Sequence, residues 1–196
     1  MAFSGERLTV AGLKEHKRLR RLRKLLRARG WRALKSDASP AFIELLYVSP
    51  CGKYVCKAAT DHRWGQFITW AKREPHANLP VVHKVCQWEN PKDTYDTLYV
   101  AVMERLDPLP FRGPAWNYRP AKDATPAMAR IVRKARQFTD ASNDYDSARV
   151  RGKVYRALME KMRAALGFPG DLHGYNMMMR QGPRGGVALV LLDPYS

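Results

Sequence analysis

Four prolines and one glycine stand between residues 107 and 121. Neither a helix interior nor a central strand accommodates that density, because each proline lacks an amide donor and fixes φ. The stretch predicts a linker-like loop that divides the chain into unlike halves. Before it the pattern is β-rich. Residues 41–48 are apolar and β-favouring, Ser49-Pro50-Cys51-Gly52 is turn chemistry, and residues 54–59 form a second strand of the same hairpin. A helix is expected over 62–73, stopped by Pro75, with strands at about 81–88 and 96–104. After the loop the chain turns helical, over 126–139 and 146–166. The second helix carries Val150, Val154, Ala157, Leu158 and Ala165 on one face and stops at Gly167 and Pro169. Short strands at 176–180 and 187–192 close the sequence, and the expected class is α+β.

Apolar residues make up 45% of the 196, enough for a buried core without disulfides. The longest apolar runs, 98–103 and 187–192, are six residues each, far short of the ~20 that a membrane-spanning helix needs. The opening residues lack a basic stretch leading into an apolar one, and Ala2 stands where myristoylation needs glycine, so neither a signal peptide nor that lipid anchor is expected. Cys51, Cys56 and Cys86 have no zinc-type spacing and read as reduced thiols of a cytoplasmic protein.

The net charge of +17 is unevenly spread, with 12 Lys/Arg against two Glu in residues 1–35. Such an excess favours an anionic partner: nucleic acid, an acidic protein face or a phosphorylated ligand. Residues 12–29 are expected to form a helix with Leu19, Leu22, Leu25 and Leu26 along a narrow stripe and basic residues around the rest, ended by Gly30. Two readings stand open. The helix docks its leucines on the body and solvates its charges, or it is an arm that binds nucleic acid or a partner. Trp64, Trp70, Trp88 and Trp116 are expected to pack, with stacking on bases as the alternative.

The chemistry-bearing stretch is residues 170–193. Asp171 and Asn176 are five apart just after a helix stop, and Asp193 closes an apolar strand. A loop, a hairpin and an aspartate in that order can bring three oxygen donors to one point, as a hard magnesium ion sharing phosphate oxygens requires. Phosphoryl transfer also needs a carboxylate at the attacking hydroxyl and a cation against the other phosphates. Lys57, on an upstream strand, is the best-placed lysine for the latter. Taken singly, Asp171, Asn176 and Asp193 each have an ordinary turn or strand-end reading. His173 reads as structural, and Met177, Met178 and Met179 as strand core.

These residues resemble the protein-kinase superfamily. Asp171 to Asn176 matches its catalytic-loop Asp-x-x-x-x-Asn, in a local form, Gly170-Asp171-Leu172-His173, similar to the aminoglycoside-phosphotransferase style. Leu192-Asp193-Pro194 is similar to the metal-binding Asp-Phe-Gly, Val55-Cys56-Lys57 to Val-Ala-Ile-Lys, His76-Ala77-Asn78-Leu79 to His-Pro-Asn-Ile, and Met103 to Leu106 to the hinge between lobes. Small size, basic character and the Asp193-Pro194 after the last strand make the chain look most like the compact Ser/Thr kinases of lytic tailed phages. The resemblance implies a two-lobed fold with a small antiparallel-sheet first lobe (36–106), a reduced helical second lobe (107–196) and a basic helical arm (1–35). It implies ATP and Mg²⁺ as cofactors and a host protein as substrate in the bacterial cytoplasm. Asp171 and Lys57 would be catalytic. Lys57, Glu104, Leu106, Asn176 and Asp193 would bind the nucleotide, and Asn176 and Asp193 the metal.

The sequence also departs from that family. Residues 36–48 hold no glycine-rich loop, leaving Ser36-Asp37-Ala38-Ser39 to cover phosphates less closely. The helix at 62–73 has no glutamate for Lys57; the expected position falls near Gln66 or Phe67, and Glu74 lies at the helix end. Three residues follow Asp193, so a protein substrate is expected to be held by another surface, the first helix among the candidates. A pseudokinase that inhibits a host protein or a nucleic-acid enzyme by binding is the alternative function.

Overall fold

A computed structural model describes residues 17–34, 43–90, 93–114, 116–143, 150–167, 172, 174, 176–182 and 186–192. The fold is mixed α+β, with a five-stranded antiparallel sheet and, among the described residues, four α-helices. None of these helices is long and apolar enough to cross a membrane.

The large sheet is built by the first half of the chain. Its strands are β1 (Arg32–Ala33), β2 (Ile43–Val48), β3 (Tyr54–Ala59), β4 (Val82–Asn90) and β5 (Asp93–Glu104), in the spatial order β1-β2-β3-β5-β4. The β2–β3 turn uses Gly52 at φ +72°, a conformation that costs glycine little. Helix α2 (His62–Arg73) crosses from β3 to β4. Its start is capped by the Asp61 carboxylate, which accepts from the amides of Arg63 and Trp64 at 2.8 and 3.1 Å. Its end falls at Glu74, ahead of Pro75, as expected.

Strand alternation gives the sheet two apolar faces. Leu45, Tyr47, Cys56, Ala58, Leu98 and Val100 face helix α1 (Lys17–Ala28), which seals them with Leu19, Leu22 and Leu26. The basic helix is therefore docked, and Leu25 of the expected stripe stays 40% exposed. The opposite face, with Ala59, Tyr99, Ala101 and Met103, meets α2 through Trp64, Phe67, Ile68 and Ala71.

That second core continues without a break into the other half of the chain. Here lie helices α3 (Pro126–Asn143) and α4 (Lys153–Leu166) and the hairpin β9 (Met177–Gln181) and β10 (Val187–Leu191). The proline-rich stretch is not a loose linker. It contributes β6 (Asp107–Pro108), paired to β9, and the small ladder of β7 (Phe111–Arg112) with β8 (Arg119–Pro120). Tyr118 in it is buried, with its hydroxyl 3.1 Å from Thr139 Oγ1. Helix α4 starts at Lys153, later than the periodicity suggests, because Gly152 sits at φ +106° outside helical space. Its inner face is Leu158, Met159 and Met162, with Tyr155 and Leu166 packed alongside, whereas Val154 is 58% exposed. Met177 and Met179 are core as expected, and Trp116 is 43% exposed.

Gly65 lets α2 approach the sheet, because a Cβ there would overlap the Tyr99 ring. Gly65→Ala is expected to destabilise the fold by about 1–3 kcal/mol through overpacking, more than the ~1 kcal/mol helix propensity gained. Urea denaturation checks this; an alanine variant as stable as the parent would contradict the packing.

Candidate functional site

Lys57 stands in the middle of β3, opposite Leu46 on β2 and Ala101 on β5. Its neighbours Cys56 and Ala58 face α1, so by alternation its side chain leaves toward α2. It is 7% exposed, and its ammonium lies 4.4 Å from the ring centroid of Trp64 in the first turn of α2. An ammonium over an indole face is attracted by the ring quadrupole. The positions near which a glutamate was expected hold Gln66, which is exposed, and Phe67, which is buried in the core. Glu74 turns elsewhere, to Lys161 on α4 at 3.5 Å. The indole Nε1 of Trp64 is buried with no hydrogen-bond acceptor among the described residues.

Asn176 enters β9, and its backbone carbonyl accepts from the amide of Leu192 at 2.9 Å. This bond extends the β9–β10 register, in which Met177 opposes Leu191, by one further pair. Asp171 and Asp193 lie outside the described residues, as does His173. What flanks them is fixed. Leu172 is buried in the core, Leu192 is held by Asn176, and Gly174 packs so closely on Phe111 that a Cβ would come within 2.8 Å of its ring. An apolar groove of about 260 Å³ runs beside this segment, lined by Leu109, Phe111, Gly174, Met177 and Met178 among others.

Glu104 ends β5. Its amide donates to Val81 O at 3.0 Å, and the next amide, of Arg105, to Lys53 O at 2.8 Å. Of the main-chain groups in the expected hinge, these two amides already have protein acceptors. Leu106 is 8% exposed. The Glu104 carboxylate is engaged as well: Oε1 accepts from Val81 N at 2.8 Å, and Oε2 from Arg180 Nε at 2.8 Å, with a second guanidinium contact. Arg180, on β9, also donates to the carbonyls of Ala77 and Leu79 at 2.6 and 2.8 Å.

Two residues without an assigned role in the sequence thus hold the site together. Arg180 ties β9 to the end of β5 and to the segment after α2. Asn78 ties that segment to β10: its Nδ2 donates to Leu189 O at 2.6 Å, and its backbone oxygen accepts from Leu191 N at 3.0 Å. The available signals were a lone arginine after three methionines and the Asn of His76-Ala77-Asn78, and neither names a partner. Lys57, the Trp64 beneath it, Leu191 and Met177 all border the one large core. Among the described residues no group of three His, Cys, Asp or Glu side chains gathers to hold a metal. Neither a protein-family model nor a curated protein matches the chain.

His76 orders the same segment, its Nδ1 accepting from the amide of Asn78 at 3.1 Å. Burial, then the nearby Lys161 charge, pushes its pKa below the usual histidine range. The neutral ring is the form that accepts this bond. Its contribution is therefore complete above the unfolded value of about 6.5 and is lost as pH falls toward the lower folded value. Asparagine keeps an acceptor for the amide two residues on but does not titrate. Melting temperatures followed from about pH 7.5 to about 5 should fall further for the parent than for His76→Asn; parallel profiles would contradict the assignment.

Proposed function

We propose that the chain is a kinase-like phosphotransferase that binds ATP with magnesium and transfers the γ-phosphoryl group to serine or threonine hydroxyls of a protein. One observation carries the reading: the Leu192–Asn176 backbone bond, which sets the residue before Asp193 against Asn176, on a hairpin sharing one core with the sheet that bears Lys57. Two others support it. Lys57 is on the third strand of the sheet, directly ahead of a helix, as is the nucleotide lysine of protein kinases. The Trp64 indole N–H is a buried donor without an acceptor among the described residues, and such a group costs about 1–3 kcal/mol unless an acceptor arrives.

In this reading Lys57 pairs with the α- and β-phosphates. Asp171 orients the acceptor hydroxyl and takes its proton as the oxygen bonds to the γ-phosphorus and ADP leaves. Asn176 and Asp193 are hard oxygen donors that fit magnesium, which when bound neutralises charge on the phosphates. Antiparallel β1 and β2 flank the stretch that includes Ser36-Asp37-Ala38-Ser39, which would cover the phosphates. Glu104 serves through its carboxylate as a tether for Arg180, leaving the hinge role to main-chain groups between Glu104 and Leu106 other than the engaged amides of Glu104 and Arg105. The resemblance to compact phage kinases makes a bacterial host protein the substrate, and host transcription or defence the process altered.

Trp64 favours a second reading. The resemblance calls for a carboxylate from the helix to orient the lysine, and α2 supplies an aromatic ring. A ring attracts the ammonium but, unlike a helix carboxylate, brings no counter-charge from α2. A pseudokinase that binds ATP weakly and acts by occupying a host protein is consistent with that exchange.

Labelled ATP, magnesium and a bacterial lysate test the first reading. The parent should label protein, and Asp193→Ala should lose several powers of ten in rate because charge neutralisation drives the transfer. Equal labelling by both would end it. Stabilisation of about 2.7 kcal/mol by Mg-ATP at ~100 times its dissociation constant, with no labelling, would favour the pseudokinase. Trp64→Leu should weaken ATP binding about 2- to 30-fold, the factor matching the ~0.5–2 kcal/mol of a cation–π contact, and Trp64→Phe should weaken it less. Unchanged affinity in the leucine variant would show that the ring does not orient Lys57.

A further inference from the structure

We infer that α1 is a duplex-binding ridge: docked on the sheet, it presents a straight row of cations to the phosphate backbone of double-stranded nucleic acid. The inference is independent of the nucleotide site.

Docking fixes which side of the helix faces out. Leu19, Leu22 and Leu26 enter the outer core of the sheet. Arg20, Lys24 and Arg27 follow one another at i, i+4 and i+7 on the opposite side, with Arg21 beside them, and all four are exposed. Arg29, in the turn after the helix, is exposed as well. The helix itself contains no acidic residue. Its 12 residues span about 18 Å, over which a duplex offers a phosphate every ~1.7 Å of axis. Arg27 is held from behind by Tyr47, whose hydroxyl accepts from Nε at 3.1 Å. The helix end abuts the β2–β3 turn, where Pro50 lies against Gly30 and Lys53 is exposed. The row is thus mounted on the sheet.

Charge alone does not separate a nucleic acid from an acidic protein. Surface chemistry does. A stable protein interface needs an apolar, water-excluding centre. Among the described residues this ridge offers Leu25, at 40% exposed, as its one large exposed apolar side chain. Four of the five cations are arginine, whose planar fork matches phosphate oxygens. Assigned to phosphate oxygens, these contacts are to the backbone and independent of sequence.

The test is fluorescence anisotropy of the full chain with labelled DNA and RNA duplexes of about two helical turns. Five phosphate contacts predict a slope of log K against log salt near −4.5, or several hundred-fold weaker binding between about 50 and 200 mM salt. Arg21→Gln/Lys24→Gln/Arg29→Gln should reduce the slope by about 2.7 and weaken binding at least tenfold with an unchanged melting temperature. Arg130→Gln/Arg133→Gln/Arg156→Gln removes the same charge from exposed positions on α3 and α4 and should leave most of the binding intact. A tighter DNA arm and a tighter RNA arm both support the inference and name the source of the phosphates. Equal loss in the two triple variants, no binding at ~50 mM salt, or tighter binding of polyglutamate than of either duplex would overturn it.

Discussion

Arg180 and Asn78 make the contacts on which the rest of the arrangement depends. A five-stranded sheet and a terminal hairpin from opposite ends of the chain have no covalent reason to stay in register. Arg180 joins the hairpin to Glu104 at the end of β5 and to the carbonyls of Ala77 and Leu79. Asn78 adds a side-chain and a main-chain bond to β10. Charge-assisted bonds to partly buried groups are worth about 1.5–3 kcal/mol each, and they are directional where apolar packing is not. The large core brings the two halves together, and these few polar bonds decide how they meet.

The clamp also explains why Glu104 is acidic. Its carboxylate completes the guanidinium and the Val81 amide, so its side chain belongs to the joint and not to a ligand. Leu192 and Asn176 lie at one end of the clamped hairpin, and Lys57 leaves the sheet toward the core that the hairpin shares. Trp64 is where the chain diverges most from what a kinase resemblance leads one to expect. Its ring lies against Lys57 and at the same time belongs to the core, so one side chain both contacts the lysine and packs α2.

What was legible in the sequence was local. Helix α2 starts after a capping Asp61 and stops before Pro75, and both ends follow from those residues. The β2–β3 hairpin is written in alternation and turn chemistry, and β9 and β10 in two short apolar runs around glycines. What was illegible depends on partners distant in sequence. Two-residue β6 exists because β9 pairs with it, so four nearby prolines read as a linker until that partner is known. The inner face of α4 was misassigned because Val150 is buried ahead of the helix, at a turn that Gly152 makes, and extends the apparent periodicity. The roles of Arg180 and Asn78 rest on contacts across 76 to 111 residues. Of the candidate site, the identities of Lys57 and Asn176 were readable as motif positions, but the Trp64 ring beneath the lysine was not, since an aromatic in an amphipathic helix ordinarily reads as core.

The central claim is that the Lys57 strand and the Asn176 end of the closing hairpin flank one nucleotide–metal site. Paramagnetic broadening by Mn²⁺·ATP, followed on the backbone amide resonances of the intact chain, tests it most directly. The account predicts that signals of Lys57, Asn176 and Leu192 bleach at low Mn²⁺·ATP while those of α4 persist. Broadening confined to the basic face of α1, or spread evenly over the molecule, would contradict it.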